Sequence, residues 1–265
     1  MSDELHLRIH GDSSRPTLIY LPGAHGDWTL AGPFRTALAG RVRLVEVVYP
    51  RTLQWTIQDY SREIGAHLTS HGICEGWLLG ESFGSQVAWR LLENKATDPA
   101  LSVPGLILAG GFVKYFWKPG PFLFRLMGQC IPTWLHTRTL QKYGEWAERR
   151  HRDNPETLGQ IREFISRRTL SDRLAMRHRL RLISGHDPRA VARQATVPIY
   201  YLSGAWDILV PYPPVRRWLR KNCPSFRGDR IVPGADHTVL FTAPQVSADQ
   251  ICSWMGLSRA TTNLS

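Results

Sequence analysis

The most constraining feature of the sequence is a serine enclosed by glycines where a strand meets a helix. Residues 76–80 form an apolar run that predicts a buried strand, and residues 86–92 have the spacing of a helix. Between them, Gly80-Glu81-Ser82-Phe83-Gly84 fits the pattern G-x-S-x-G. The chain must reverse direction within a few residues, which strains the backbone of the serine. Side chains at positions 80 and 84 would collide with neighbouring backbone, so both positions are glycine. The pattern predicts that Ser82 is a nucleophile at a helix N-terminus, where the helix dipole favours developing negative charge.

Strands and helices are predicted to alternate along most of the chain. The expected strands are residues 5–9, 17–21, 42–48, 76–80, 105–109, 198–202 and 230–232. Helices are expected near residues 57–70, 86–92, 215–221 and 245–255. This alternation is typical of an α/β fold, with a mainly parallel sheet covered by helices on both faces.

One long segment interrupts this alternation. From about residue 112 to residue 195 the sequence predicts no strand, and its helical patterns cover residues 122–130, 140–150, 155–168 and 172–183. An all-helical insertion between two strands is best interpreted as a cap over the ligand-binding edge of the sheet. The predicted organisation is therefore a core of residues 1–111 and 196–265, with a helical cap of residues 112–195.

A serine hydroxyl is a weak nucleophile unless a base lies beside it. Among ten histidines, His237 is favoured because it follows the last expected strand, at the sheet edge where the Ser82 turn also lies. Two carboxylates could orient this base. Asp207 lies on the loop after strand 198–202, whereas Asp236 is adjacent to His237 and would have to fold back sharply. We therefore favour Asp207, which would fix the imidazole tautomer and stabilise the imidazolium.

The order Ser82, Asp207, His237, with a helical insertion after strand 105–109, resembles the α/β-hydrolase fold. The resemblance extends from residue 5 to about residue 255. It implies a Ser–His–Asp triad under a helical cap. Some family members place their acid directly after the strand that corresponds to residues 105–109. Residues 110–112 of this chain contain no carboxylate, which strengthens the assignment of Asp207 as the acid. A serine nucleophile argues against the haloalkane dehalogenase and epoxide hydrolase branches.

The resemblance also implies an oxyanion hole made of backbone N–H groups, which we assign to Ala24 and Phe83. The family usually has His-Gly at the first of these sites, whereas this chain has Pro22-Gly23-Ala24, with His25 following. A backbone N–H makes the hydrogen bond, so the different side chain need not destroy the hole. His25 could line the pocket or face solvent on its loop. The residues expected to bind substrate are His25, Phe112, Phe116 and Trp117.

The positive charge of the chain is concentrated in the predicted cap. The net charge is +11, and residues 113–195 contain 17 Lys/Arg but only 7 Asp/Glu. Three interpretations remain open: a solvated helical surface, attraction of an anionic substrate, and weak association with an anionic membrane surface. Nucleic acid is not expected as a partner, because zinc-finger, helix-turn-helix and aromatic RNA-binding signals are absent.

Other features restrict the remaining classes. The four cysteines are scattered without a CxxC pair, so neither a zinc site nor a disulfide framework is expected, and we predict no metal and no cofactor. The N-terminus has no signal-peptide pattern, and no apolar stretch approaches the ~20 residues of a membrane span. A cytoplasmic location is therefore expected. The sequence does not determine the oligomeric state.

These observations predict a serine hydrolase that cleaves a carboxylic ester of a small to medium acyl substrate through an acyl-enzyme on Ser82. The alternatives are a thioesterase, a carbon–carbon bond hydrolase or lyase using the same triad, and a non-enzymatic ligand receptor. Because protonated His237 cannot act as a base, activity should fall near the ordinary histidine pKa of ~6.5.

Overall fold

The computed structural model describes residues 4–94, 101–115, 138, 155–166 and 169–257. The strands of this part of the chain are β1 (His6–His10), β2 (Thr17–Leu21), β3 (Arg43–Val48), β4 (Trp77–Glu81), β5 (Leu106–Ala109), β6 (Ile199–Gly204) and β7 (Phe226–Val232). Its helices are α1 (Gly32–Leu38), α2 (Ile57–Ser70), α3 (Phe83–Asn94), α4 (Pro155–Ser166), α5 (Leu170–Gly185), α6 (Arg189–Gln194), α7 (Tyr212–Asn222), α8 (Val239–Thr242) and α9 (Pro244–Trp254).

The strands form one seven-stranded sheet in the order β1-β3-β2-β4-β5-β6-β7. β1 pairs antiparallel with β3, and every other neighbouring pair is parallel. Parallel strands all end at the same edge, so the loops that follow β2, β4, β5, β6 and β7 gather there. The predicted fold class is confirmed.

The core consists of two layers, one on each face of the sheet, because side chains alternate along a strand. Ile19 of β2 packs in one layer with Ile64 of α2, while Leu18 packs in the other with Phe34 of α1. All four side chains are fully buried. Burial of each such side chain stabilises the fold by roughly 1.5–3 kcal/mol, so the two layers together hold the sheet edge in place.

Two helices begin with the same capping arrangement. At α2 the Thr56 hydroxyl accepts the Asp59 N–H, and the Asp59 carboxylate accepts the Thr56 N–H. Thr169 and Asp172 repeat this arrangement at α5. Such a capping box satisfies N–H groups that have no partner within the helix. It places the start of α5 at Leu170, two residues before the predicted start.

The described residues between β5 and β6 contain α4, α5 and α6 and no strand. The predicted helices at residues 122–130 and 140–150 lie outside the described residues, and the cap boundaries 112–195 stay a prediction. No helix in the described part of the chain is long and apolar enough to cross a membrane.

Candidate active site

The backbone at Ser82 is strained. Its φ is +49°, and among the described residues it is the only non-glycine residue with a positive φ. L-residues avoid this region at a cost of roughly 1–3 kcal/mol, so the surrounding structure must hold the turn. The Ser82 N–H donates to the carbonyl of Ala109 at 3.1 Å, and the Ser82 carbonyl accepts the Ser85 N–H at 3.0 Å. These bonds hold the serine between the end of β4 and the start of α3.

The two glycines of the motif are required by close backbone approach. A Cβ atom on Gly84 would lie 2.0 Å from the carbonyl oxygen of Leu21, and one on Gly80 would lie 2.7 Å from Cα of Ser85. Neither backbone neighbour could move away without disturbing β2 or α3. The glycines therefore let α3 pack directly against the end of β2, which brings Ser82 beside the loop that follows β2.

Ser82, His237 and Asp207 form a continuous chain of hydrogen bonds. His237 Nε2 lies 2.9 Å from Ser82 Oγ, and His237 Nδ1 lies 2.8 Å from Asp207 Oδ2. An ionised carboxylate can only accept hydrogen bonds, so Nδ1 must carry the proton. In the neutral ring Nε2 is then an acceptor, and the Ser82 hydroxyl donates to it. This is the tautomer that a general base needs.

Asp207 and Asp236 have different environments. The second oxygen of Asp207, Oδ1, accepts the N–H groups of Leu209 at 3.1 Å and Val210 at 2.7 Å, which fixes the carboxylate. Asp236 Oδ1 instead accepts the backbone N–H and the hydroxyl of Thr238, at 2.9 and 2.8 Å. The structure therefore places Asp207, and not Asp236, on the imidazole ring.

The environment of His237 determines the pKa of its ring. Burial alone would lower that pKa, because a low-dielectric site disfavours the charged form. The hydrogen bond and charge of Asp207, with smaller contributions from the Glu81 and Asp236 charges, outweigh burial and raise the pKa above its ordinary value of 6.5. The expected pH at which the base becomes protonated is raised accordingly.

The loop after β2 lies against Ser82. A Cβ atom on Gly23 would be 3.5 Å from Cβ of Ser82. The Gly26 N–H donates to the Gly23 carbonyl at 3.0 Å, which closes a turn with Ala24 and His25 at its centre. Within the described residues no acceptor is found for the N–H groups of Ala24 and Phe83. Both amides predicted for the oxyanion hole thus belong to segments that adjoin the serine.

The residues expected to bind substrate have separate locations. The His25 ring meets the ring of Phe164 on α4 edge to face, with centroids 6.1 Å apart. The Phe112 side chain is buried, and its carbonyl accepts hydrogen bonds from Gln86 Nε2 and Trp89 Nε1. Phe116 and Trp117 lie outside the described residues. The structure therefore places Phe112 in the core and puts His25 at the contact between the β2 loop and α4.

A cavity of about 300 Å³ lies beside Phe112. It is lined by Phe112, Lys114, Tyr115, Ile208, Val210, Pro211, Pro214 and Val215. None of Ser82, Asp207 and His237 is among these lining residues.

Two charged residues near the site are buried, and neither burial is predicted from the sequence. Glu81, which is 3% exposed, accepts a hydrogen bond from the Tyr20 hydroxyl on the neighbouring strand. Arg179, which is 2% exposed, reaches the β2 loop from α5. Arg179 shares a buried stripe of α5 with Ala175 and Ile183, and this helical spacing is the signal that could have found it. No group of three or more potential metal ligands occurs among the residues that the structure describes.

A family model described as "Alpha/beta hydrolase family" matches residues 9–250 of the sequence. The chain belongs to the alpha/beta hydrolase family. The match includes β2 to β7 and every residue of the hydrogen-bonded chain Ser82, His237 and Asp207. This family includes enzymes that differ widely in substrate, so membership gives the fold and the general class of hydrolase. No curated protein sequence matches this alpha/beta hydrolase.

Solved structures share the fold of this alpha/beta hydrolase at low sequence identity. An esterase from Exiguobacterium antarcticum has a TM-score of 0.77 at 16% identity, with 95% of each chain covered. A thermophilic esterase from Thermogutta terrifontis has a TM-score of 0.73 at 18% identity, covering 95% of this chain and 93% of its own. The enol-lactonase from Burkholderia xenovorans has a TM-score of 0.70 at 16% identity, covering 95% and 96%. At these identities the likeness concerns the fold alone.

Proposed function

We propose that this alpha/beta hydrolase cleaves a carboxylic ester of a small to medium acyl substrate through an acyl-enzyme on Ser82. The observation that carries the proposal is the hydrogen-bonded chain from Ser82 Oγ through both nitrogens of His237 to Asp207, at 2.9 and 2.8 Å. A nucleophile, a base of the correct tautomer and an orienting carboxylate are thereby within direct reach of each other. The esterase and lactonase structures of the same fold support this choice of reaction.

In the proposed acylation step, Ser82 Oγ attacks the ester carbonyl carbon while His237 Nε2 takes the hydroxyl proton. The carbonyl oxygen becomes an oxyanion, which accepts hydrogen bonds from the N–H groups of Ala24 and Phe83. Asp207 stabilises the imidazolium without taking its proton. Phe83 is the first residue of α3, so its N–H also carries the positive end of the helix dipole. Removing one oxyanion donor from a serine protease costs roughly 10²–10³ in kcat, which gives the scale of such a contribution.

The oxyanion then collapses, and the bond between the acyl carbon and the alcohol oxygen breaks. His237 Nε2 gives its proton to the leaving alcohol. In the second half of the reaction His237 takes a proton from water, whose oxygen attacks the substrate acyl carbon that is bonded to Ser82 Oγ. Collapse of this second oxyanion releases the carboxylic acid and returns the proton to Ser82 Oγ. The same residues perform both halves, so no group beyond the triad and the two amides is required.

The proposal is tested by measuring hydrolysis of a p-nitrophenyl ester series of increasing acyl length beside the matching acyl-thioesters. We expect turnover of the esters, and loss of on the order of 10⁴ or more in kcat for Ser82→Ala, because no other group replaces the nucleophile. Ser70→Ala is the matched control, since Ser70 is an exposed serine at the end of α2. This control should retain wild-type activity.

A preference for the thioester of equal acyl length would replace the esterase proposal with a thioesterase. If Ser82→Ala keeps most of the activity, or if the wild type hydrolyses neither series, the proposed chemistry at Ser82 is wrong.

A further inference from the structure

Arg179 differs from the other arginines of α5. Its side chain is 2% exposed, while Arg181, two residues later on the same helix, is exposed. Arg179 lies on the stripe of α5 that faces the core, together with Asp172, Ala175 and Ile183. It is therefore separate from the basic outer surface of the helix, although the sequence places it in the same charged run.

The Arg179 guanidinium is held by neutral acceptors. Nε donates to the hydroxyl of Tyr60 at 3.2 Å, Nη1 to the carbonyl of Ala24 at 2.9 Å and Nη2 to the carbonyl of Pro50 at 2.7 Å. In the described part of the chain no carboxylate lies within ion-pair distance of it. A buried cation without a counter-charge is costly, and its charge-assisted hydrogen bonds offset only part of that cost. This arrangement is not what stability alone would favour.

The Ala24 carbonyl belongs to the turn that adjoins Ser82. The turn closes through the Gly26 N–H and the Gly23 carbonyl, and the Tyr49 N–H donates to the Gly26 carbonyl at 2.9 Å. Arg179 is the third restraint and is the one that reaches the centre of the turn. Gly26 has a φ of +86°, and a Cβ there would lie 2.3 Å from Nη1 of Arg179. The turn is therefore shaped around the guanidinium.

The segment of α5 that carries Arg179 is itself fixed to the core. Asp172 forms an ion pair with Arg51 at 2.7 Å, and His178 Nε2 lies 2.8 Å from the Trp55 carbonyl. These contacts hold the helix against residues 50–60, on which two of the three acceptors of Arg179 lie. The guanidinium thus connects a helix that is docked on the core to the β2 loop.

We propose that Arg179 is a positioning residue, which holds the Ala24 segment so that its N–H is placed for the oxyanion. This inference rests on the proposed function, because it assumes that Ala24 serves an acyl transfer at Ser82. Oxyanion donors act only when they are already placed for the transition state, and a displacement of about 1 Å can cost on the order of 10²-fold in rate. The fixed positive charge beside Ala24 also favours negative charge developing nearby.

The test compares Arg179→Met, Arg179→Lys and the control Arg181→Met in hydrolysis of a neutral p-nitrophenyl ester. For Arg179→Met we expect kcat to fall about 30-fold with KM changed less than about 3-fold, since the turn acts on the transition state. Arg179→Lys keeps the charge and one donor direction, so its loss should be smaller. Arg181→Met should match the wild type.

A trifluoromethyl ketone, which forms an oxyanion on addition to serine, separates positioning from folding. The affinity of this inhibitor should fall in proportion to kcat in each Arg179 variant. Both quantities are measured at a temperature at which circular dichroism shows that the variant is folded. Unchanged kcat and inhibitor affinity in folded Arg179→Met would overturn the proposal. A loss of activity that only follows the unfolded fraction would also overturn it.

If Arg179→Met does not fold, Tyr60→Phe removes one acceptor and leaves the guanidinium in place. This variant should lose several-fold in kcat and in inhibitor affinity, with KM retained, and a wild-type kcat would contradict the proposal. The ester hydrolysis rate of the wild type tests the proposed function, whereas the kcat of each variant relative to wild type tests the role of Arg179. An inactive wild type would overturn both, whereas an active wild type with an unaffected Arg179→Met would overturn only the role of Arg179.

Discussion

At the scale of single residues, each member of the triad is restrained by groups outside it. Ser82 is held by backbone hydrogen bonds to Ala109 and Ser85, and Asp207 is held by two N–H groups of its own loop. The orientation of the His237 ring, by contrast, is set by its hydrogen bonds to the other two members. Replacing the partner of His237 should therefore disturb catalysis without unfolding the loops that carry it.

Asp207→Asn should cost far more activity than Asp236→Asn. An amide at position 207 can donate to Nδ1 and so favour the wrong imidazole tautomer, and we expect kcat to fall on the order of 10³–10⁴-fold. Asp236→Asn keeps an oxygen that can accept from Thr238, so its kcat should stay within about 3-fold of wild type. Steady-state kinetics of the two variants measures both effects, and the reverse ranking would move the acid to Asp236.

The pH profile depends on the raised pKa of His237. A base acts only when neutral, so kcat/KM should fall as pH drops through a pKa above the ordinary 6.5. Asp207 contributes most of the upward shift, whereas burial acts in the other direction. In the Asp207→Asn variant, the acid limb of the remaining kcat/KM profile should therefore move to lower pH. A pH series of kcat/KM checks this, and an acid limb at the same pH in both proteins would contradict it.

The positions of Ser82, Asp207 and His237 could be predicted because each follows a strand, and the carboxyl ends of parallel strands meet at one edge. The burial of Arg179 was not predicted, because charge counting groups it with its exposed neighbours. The pKa of His237 could not be predicted either, since it depends on a balance between burial and the nearby Asp207, Glu81 and Asp236 charges.

At the scale of elements, the ends of the helices depend on local chemistry that hydrophobic periodicity does not contain. α7 begins at Tyr212, three residues before the predicted start, because prolines are favoured in the first turn of a helix. α1 was not predicted, since its seven residues have no side-chain cap and only two buried side chains, Phe34 and Leu38. β7 begins at Phe226 rather than residue 230, because its pairing with β6 continues past a register shift at Ile199.

The two capping boxes provide a matched comparison of stability. Asp59 caps α2 and forms an ion pair with Arg62, whose side chain is 61% exposed. Asp172 caps α5 and is paired with the largely buried Arg51. We expect Asp59→Ala to lower the free energy of unfolding by about 1 kcal/mol and Asp172→Ala by about 3 kcal/mol. Urea denaturation of both variants at pH 7 measures the difference, and equal losses would contradict a stabilising Arg51–Asp172 pair.

The stabilising effect of Asp172 should also depend on pH. Burial raises its pKa, but the Thr169 hydrogen bonds and Arg51 outweigh burial and lower the pKa below 3.8. A carboxylate with a lowered pKa in the folded state stabilises the fold above its unfolded pKa, and this contribution disappears as pH falls through the lowered value. The difference between wild type and Asp172→Ala should therefore shrink below about pH 4. A constant difference down to pH 2 would contradict this.

At the scale of the whole molecule, the excess positive charge is the feature that the fold explains least. The net charge is +11, and residues 113–195 carry 17 Lys/Arg against 7 Asp/Glu. Some of these charges are paired, as in the contacts of Lys114 and Arg189 with Asp187. The remaining excess can still attract anions over a distance comparable with the Debye length.

If that charge steers substrates, kcat/KM for an anionic ester should fall as ionic strength rises from ~0.01 to ~0.15 M, because the Debye length decreases from about 30 to about 8 Å. A neutral ester of equal acyl length is the control and should respond little. Initial rates at several salt concentrations measure both. If kcat/KM changes equally with salt for the two esters, the charge does not steer substrates and is a solvated surface.

The central claim, a nucleophilic Ser82 activated through His237 and Asp207, is tested most directly by covalent labelling. The protein is treated with a serine-directed phosphonate, and the adduct is located by mass spectrometry of the intact chain and its peptides. We predict a single adduct on Ser82, none on Ser82→Ala, and strongly slowed labelling of His237→Ala because the base is lost. An adduct on another residue, or wild-type labelling of Ser82→Ala, would contradict the claim.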